Sequence, residues 1–263
     1  MIDDKYFEVI FKNYNLKIQN SCEEGLMYIK SPYQYEQLIN KARKEWENLE
    51  IEDKLPEEYF NLIKTKEQMK KVFDMACDIC DEFIPISFLN IIQKLGIFDF
   101  VEKYAFENTK LEKQILAIKV IGKIKKDEYT FKLIDIIYKS NEELVKESAR
   151  QALIDIGEIA IYEVLKTLRE KEKLNGDDFH LLIALIDIDK EKKTDEVFKN
   201  LKEFFRKSND KSIAARCIAE YNDSRAIPFL RGFLKRNLEE LKDDDAWEIR
   251  TAITLLGGIE DDI

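Results

Sequence analysis

The chain has 263 residues, 43 Lys or Arg against 53 Asp or Glu, a net charge of −10, and only 8 Gly and 4 Pro. So acidic a balance excludes a surface that grips nucleic acid everywhere, and the scarcity of Gly and Pro beside abundant Leu, Ile, Lys and Glu predicts an all-α protein. No apolar run approaches the roughly 20 residues that a membrane helix requires. The opening Met1-Ile-Asp-Asp-Lys5 is acidic where a secretory signal is basic, and the four cysteines, Cys22, Cys77, Cys80 and Cys217, are scattered as in a reducing compartment. The expectation is a soluble cytoplasmic protein without disulfides or a membrane partner.

In chain order, residues 3–19 predict a helix with Tyr6, Ile10, Phe11, Tyr14 and Ile18 on one side, broken by Asn20-Ser-Cys-Glu-Glu-Gly25. A second helix is predicted over 32–49, with Pro32 near its first turn. Helices over 56–64 and 66–83 follow an acidic loop. Aromatic residues are dense here, among them Tyr28, Tyr33, Trp46, Tyr59 and Phe83. Residues 1–84 therefore read as a helical cap that closes one end of a repeat array, which such arrays need.

Ile84-Pro85-Ile86 marks a turn, after which a helix is predicted over 87–95. Helix pairs are then predicted over 110–123 with 128–139, 142–156 with 159–171, 177–187 with 193–207 and 210–221 with 224–241, and a last helix over 244–256. In the second pair, Leu144, Ala149, Ala152, Leu153 and Ile156 share one face, as do Ile161, Val164, Leu165 and Leu168, with Gly157 between them. The trio Ala152, Leu153, Ile156 recurs 32 residues earlier as Val120, Ile121, Ile124 and 32 later as Ala184, Leu185, Ile188. Steps of 33 and then 35 give Cys217, Ile218, Tyr221 and Ala252, Ile253, Leu256. Ala117, Ala149 and Ala214 occupy equivalent places one turn earlier, where neighbouring helices must approach closely. Self-similarity at such a period marks a repeat architecture.

The strings Ala149 to Leu165 and Ala214 to Leu230, the latter containing Asn222-Asp223-Ser-Arg-Ala-Ile-Pro228, resemble HEAT repeats of the short bacterial, bilin-lyase-like kind over residues 85–263. The resemblance implies an α-solenoid of helix pairs, wound as a right-handed superhelix, whose second helices line the concave side. It is a statement about fold and transfers little function.

Several constellations invite chemistry and give a plainer reading. Cys77-Asp-Ile-Cys80 lacks two further soft ligands for zinc and lies in an apolar helical pattern, so both read as core cysteines. His180, the single histidine, excludes triad chemistry and multi-histidine metal sites, and reads as a structural side chain. Asp187-Ile-Asp189 begins like a calcium loop, but Lys192 stands where glycine and Phe198 where glutamate are required, so it reads as a turn with a solvated acidic edge. Asp243, Asp244 and Asp245 read as caps of the last helix. No catalytic residue, metal site or cofactor is predicted.

The informative electrostatic feature lies between Lys199 and Arg236, where ten Lys or Arg face four Asp or Glu, against a net −6 over residues 1–110. Opposite the apolar stripe Val197, Phe198, Leu201, Phe204, Phe205 stand Lys199, Lys202 and Arg206. Opposite Ile227, Leu230, Phe233, Leu234 stand Arg231 and Lys235, and Lys166 and Arg169 extend the row. Second helices lie about 10 Å apart, so these seven cations predict one ridge. The expected function is a non-enzymatic scaffold that binds an acidic protein or peptide partner. Two alternatives carry different observable consequences: a nucleic-acid-binding or repair-like protein of HEAT type, and an acidic inhibitor or immunity protein that neutralises a basic partner.

Overall fold

The computed structural model describes residues 65–67, 69, 70, 73, 86–107, 109–174 and 176–259. The helices predicted over 3–19, 32–49 and 56–64, and the pair Cys77 and Cys80, lie outside them. The chain divides into two compact units, 1–117 and 118–263.

In the first unit, helix α1 (Ile86–Leu95) turns at Gly96, whose φ of +62° suits a residue without a Cβ, into α2 (Phe98–Phe106). Sequence patterning did not anticipate α2. Its Phe100 and Tyr104 meet the ring of Phe73 at centroid distances of 5.4 and 5.7 Å, the first edge to face. Lys66 pairs with Asp99, and Gln114 Nε2 donates to the carbonyl of Ala105 at 3.2 Å. Gln114 lies on α3 (Leu111–Ile124), which runs on into the second unit.

The second unit continues with α4 (Thr130–Lys139), α5 (Glu143–Ile156), α6 (Glu158–Arg169), α7 (Asp178–Asp189), α8 (Asp195–Lys207), α9 (Lys211–Tyr221), α10 (Ile227–Asn237) and α11 (Asp243–Leu255). Short 3-10 turns at Asp127–Tyr129 and Ser224–Ala226 lead into α4 and α10. Among the described residues no strand forms. One isolated backbone bridge, Leu174 to Ser208, fastens the loop before α7 to the end of α8. The contacts run in two series. First helices pack on first helices, α5 on α7, α7 on α9 and α9 on α11, while α6 packs on both α4 and α8. Each second helix also packs on the next first helix.

The periodic trios, except Ile188, which is half-buried, form the core that joins these series. Val120, Ile121, Ala152, Leu153, Ala184, Leu185, Ile218, Tyr221, Ala252 and Ile253 are all buried. Ala149 and Ala214 are buried one turn earlier, as their small size requires. Leu144 departs from the expected face and is 56% exposed, while its neighbour Val145 is fully buried. The buried face of α5 thus begins at Val145, one residue later than the sequence pattern suggested.

Local chemistry explains the helix ends. Gly157, at φ +80° and ψ −143°, both ends α5 and starts α6. Thr194 caps α8 by accepting from the Val197 N–H, and Asp195 and Glu196 in the first turn with Arg206 and Lys207 in the last suit the helix dipole. At the other end, Lys211 Nζ donates to the carbonyls of Phe205, Arg206 and Ser208 at 3.0, 3.0 and 2.6 Å. Asp210 caps α9, Asn222 in the left-handed conformation ends it, and Pro228 stands in the first turn of α10. The helix predicted over 224–241 is therefore a 3-10 turn followed by a helix that stops at Asn237.

Two acidic readings are corrected. Asp189 is fully buried, not solvated. Its Oδ2 accepts from the Thr194 N–H and hydroxyl, both at 3.0 Å, and from the Tyr221 hydroxyl at 2.6 Å. The last helix has no side-chain cap; Asp245 instead accepts from the N–H and hydroxyl of Ser212, capping the neighbouring helix α9. The links of Tyr221 to Asp189 and of Ser212 to Asp245 join residues one repeat apart, and so do Lys123 to Asp155, Lys146 to Asp177 and Arg216 to Glu248. All five span 31 to 33 residues.

Two glycines inside helices make opposite predictions. A Cβ on Gly122 would meet the Ala152 backbone Cα at 2.6 Å, whereas one on Gly232 would meet only the flexible tip of Arg236 at 3.3 Å. Gly122→Ala is expected to destabilise by about 1–3 kcal/mol through overpacking, and Gly232→Ala to be neutral or to stabilise by up to about 1 kcal/mol through reduced backbone entropy. Urea unfolding of both variants checks the pair of signs. Tyr221→Phe, which strips one donor from the buried Asp189 carboxylate, is expected to cost about 1–3 kcal/mol in the same assay.

Candidate functional site

The buried residues of the second helices set a common register. Leu133, Ile134 and Ile137 on α4 correspond to Val164, Leu165 and Leu168 on α6, to Val197, Phe198 and Leu201 on α8, and to Leu230 and Leu234 on α10. Counting back two residues from Leu133, Val164, Val197 and Leu230 reaches Phe131, Tyr162, Asp195 and Pro228. From there the positions i, i+4 and i+7 run along one outward face. That face carries Phe131, Asp135 and Tyr138 on α4; Tyr162, Lys166 and Arg169 on α6; Asp195, Lys199 and Lys202 on α8, followed by Arg206; and Pro228, Gly232 and Lys235 on α10.

Of the seven cations read from the sequence, Lys166, Arg169, Lys199, Lys202, Arg206 and Lys235 occupy this face of three helices. Arg231 lies to one side of it, half-buried, and its Nη2 donates to the Ile259 carbonyl at 2.9 Å. α6 packs on α8, and α8 meets α10 through Phe205, whose ring lies edge-on to Phe229 and Phe233 at 5.5 and 4.9 Å. The row is thus carried on packed helices, of which α8 and α10 are joined by aromatic rings.

Carboxylates that the ridge reading left out rim the row. Glu163 pairs with Lys166 at 3.4 Å and Glu203 with Arg206 at 3.1 Å, both one helical turn apart, while Arg169 reaches across to Glu196 and Asn200 on α8, each at 2.8 Å. The i, i+3 spacing of Glu163 with Lys166 and of Glu203 with Arg206 was legible; the bridge from Arg169 needed the packing of α6 on α8. Lys202 lies over the Phe198 ring at 4.5 Å, and Arg206 over Phe229 at 5.0 Å. Lys199 and Lys235 make no hydrogen bond or ion pair among the described residues. Asp195, which shares the face with Lys199, is held by Arg225.

Among the described residues the one cysteine is set in inert surroundings. Cys217 is buried, which with nearby Glu220 pushes its thiol up to about 12. Among the described residues no group of three or more His, Cys, Asp or Glu side chains is placed to hold a metal ion. No helix among them is long and apolar enough to cross a membrane. No protein-family model, curated protein or solved structure matches the chain.

His180 on α7 has the orienting partner that the sequence did not reveal. Its Nε2 lies 3.0 Å from the Glu143 carboxylate of α5, and its Nδ1 is buried without a hydrogen-bond partner among the described residues. Burial lowers its pKa below 6.5, aided by Arg150 and Lys146 and opposed by Glu143 and Asp177. The folded chain thus favours the neutral ring, and as the pH falls through 6.5 the unfolded chain takes up a proton first. Stability is expected to be greatest above 6.5, to fall through that value and to level off below the lowered folded value. His180→Gln should flatten this limb in thermal melts taken across neutral to mildly acidic pH.

Proposed function

We propose that the helix pairs stack as an α-solenoid of HEAT type and that the outward face of α4, α6, α8 and α10 binds a protein or peptide rich in carboxylates, without catalysing a reaction. The observation that carries this reading is the placement of cations at equivalent positions of three consecutive second helices: Lys166 and Arg169, Lys199 and Lys202, and Lys235. Hydrogen bonds that recur at one repeat's spacing support the stacking. A row of side chains on rigid helices binds with little loss of conformational freedom, and its charge steers an acidic partner's approach. The exposed pairs with Glu163, Glu196 and Glu203 are individually weak, so a partner's carboxylate exchanges with them at little cost.

Lys199→Glu combined with Lys235→Glu removes two cations of the row that make no hydrogen bond or ion pair among the described residues, and so tests binding without disturbing the fold. Affinity capture from native extract is expected to recover a protein with the wild type that the double variant loses and that added salt releases, and association of the purified partner should slow by about tenfold or more. A partner held equally by both baits overturns the reading, as does recovery of nucleic acid in its place.

A further inference from the structure

Phe131 and Tyr162 are each 68% exposed, although Tyr129, Phe179, Phe198, Phe204, Phe205 and Tyr221 are buried. Trp247 on α11 is also 61% exposed, but among these exposed rings only Phe131 and Tyr162 stand on neighbouring second helices. They occupy the same register position on α4 and α6, two helices in direct contact. At that position α8 carries Asp195 and α10 carries Pro228, so the repeat itself does not call for an aromatic ring. Ile159, one turn before Tyr162, is also 52% exposed and widens the apolar area.

Resting on the acidic-partner reading above, we infer that this face is bipartite: Phe131 and Tyr162 form an anchor site for one large apolar side chain, and Lys166, Lys199 and Lys235 take carboxylates that follow it along the same peptide segment. Packed helices lie about 8–10 Å apart, which leaves room between two rings at equivalent positions for one side chain. Each further helix is reached by about three residues of extended chain at roughly 3.3 Å per residue. The ligand is therefore a segment with an aromatic or large aliphatic residue and carboxylates spaced about three residues apart beyond it. The face has a direction because its cations begin only at α6. On α4 the corresponding positions hold Asp135, which is paired with Lys139 at 2.7 Å, and Tyr138, whose hydroxyl donates to Asp178. Buried apolar anchors dominate binding energies, while peripheral charges set register and rate.

Panning a displayed library of random peptides, about four helix spacings long, against the full chain separates this inference from the reading beneath it. Wild type is expected to enrich peptides with an apolar anchor followed by spaced Asp or Glu. The Phe131→Ser, Tyr162→Ser variant, folded like the wild type by circular dichroism because both side chains are exposed, should still enrich acidic peptides but without the anchor. It should also bind the wild-type selectants at least about tenfold more weakly. Acidic peptides without an anchor, enriched by wild type, overturn the bipartite site and leave the acidic-partner reading standing. Selection without acidic residues, or no enrichment at all, overturns both.

Discussion

The buried carboxylate of Asp189 ties the end of α7, the start of α8 and the end of α9 to one point. A fully buried carboxylate is costly unless donors surround it, and Thr194 and Tyr221 supply three hydrogen bonds to one of its oxygens. Thr194 at the same time caps α8. The helix that carries Lys199, Lys202 and Arg206 is thereby fixed in both direction and rotation by groups that never reach its outward face. The neighbouring bonds of Arg225 to Asp223, Asp195 and the Lys193 carbonyl hold the following turn in the same way.

Around that point, close approach sets the spacing. Gly122 lies against the backbone of Ala152, and Ala149 and Ala214 are buried where first helices meet. Small residues let backbones come near, larger ones such as Leu153, Leu185 and Ile253 fill the space between pairs, and polar links one repeat apart fix the register that packing alone leaves loose. Of the second helices, α8 and α10 are joined differently, through Phe205 against Phe229 and Phe233. Some outward positions of the second helices, such as Phe131, Tyr162, Lys199 and Lys235, lie outside that packing, which is why charge and aromatic character can vary there from one helix to the next.

That freedom accounts for the mixed character of the candidate surface. Cations held by Glu163, Glu196 and Glu203 remain ordered without being neutralised by burial, since each pair stays in water and is screened by salt. Phe131 and Tyr162 sit at the end of the row where cations stop, so charge and apolar area divide one continuous face between them. Cys217 lies off this face and is quietened by burial.

The sequence by itself determined the helices from α3 onward and their period, though not α2, because burial on one side of a helix leaves a mark every three or four residues and a repeat leaves it again 32 or 33 residues on. It also placed Lys166, Arg169, Lys199, Lys202, Arg206 and Lys235 opposite buried stripes, since position on a helix follows from counting. Only the tertiary structure decided what each polar group touches. Asp189 looked solvated until Tyr221 arrived from 32 residues away, Asp245 caps a neighbouring helix and not its own, Glu143 reaches His180 across two helices, and Arg231 turns to the Ile259 carbonyl. Hydrogen bonds and ion pairs between helices depend on distances of a few ångströms that no periodicity encodes. Exposure of Phe131 and Tyr162 likewise became visible only once the packing of α4, α6 and α8 showed which faces were already covered.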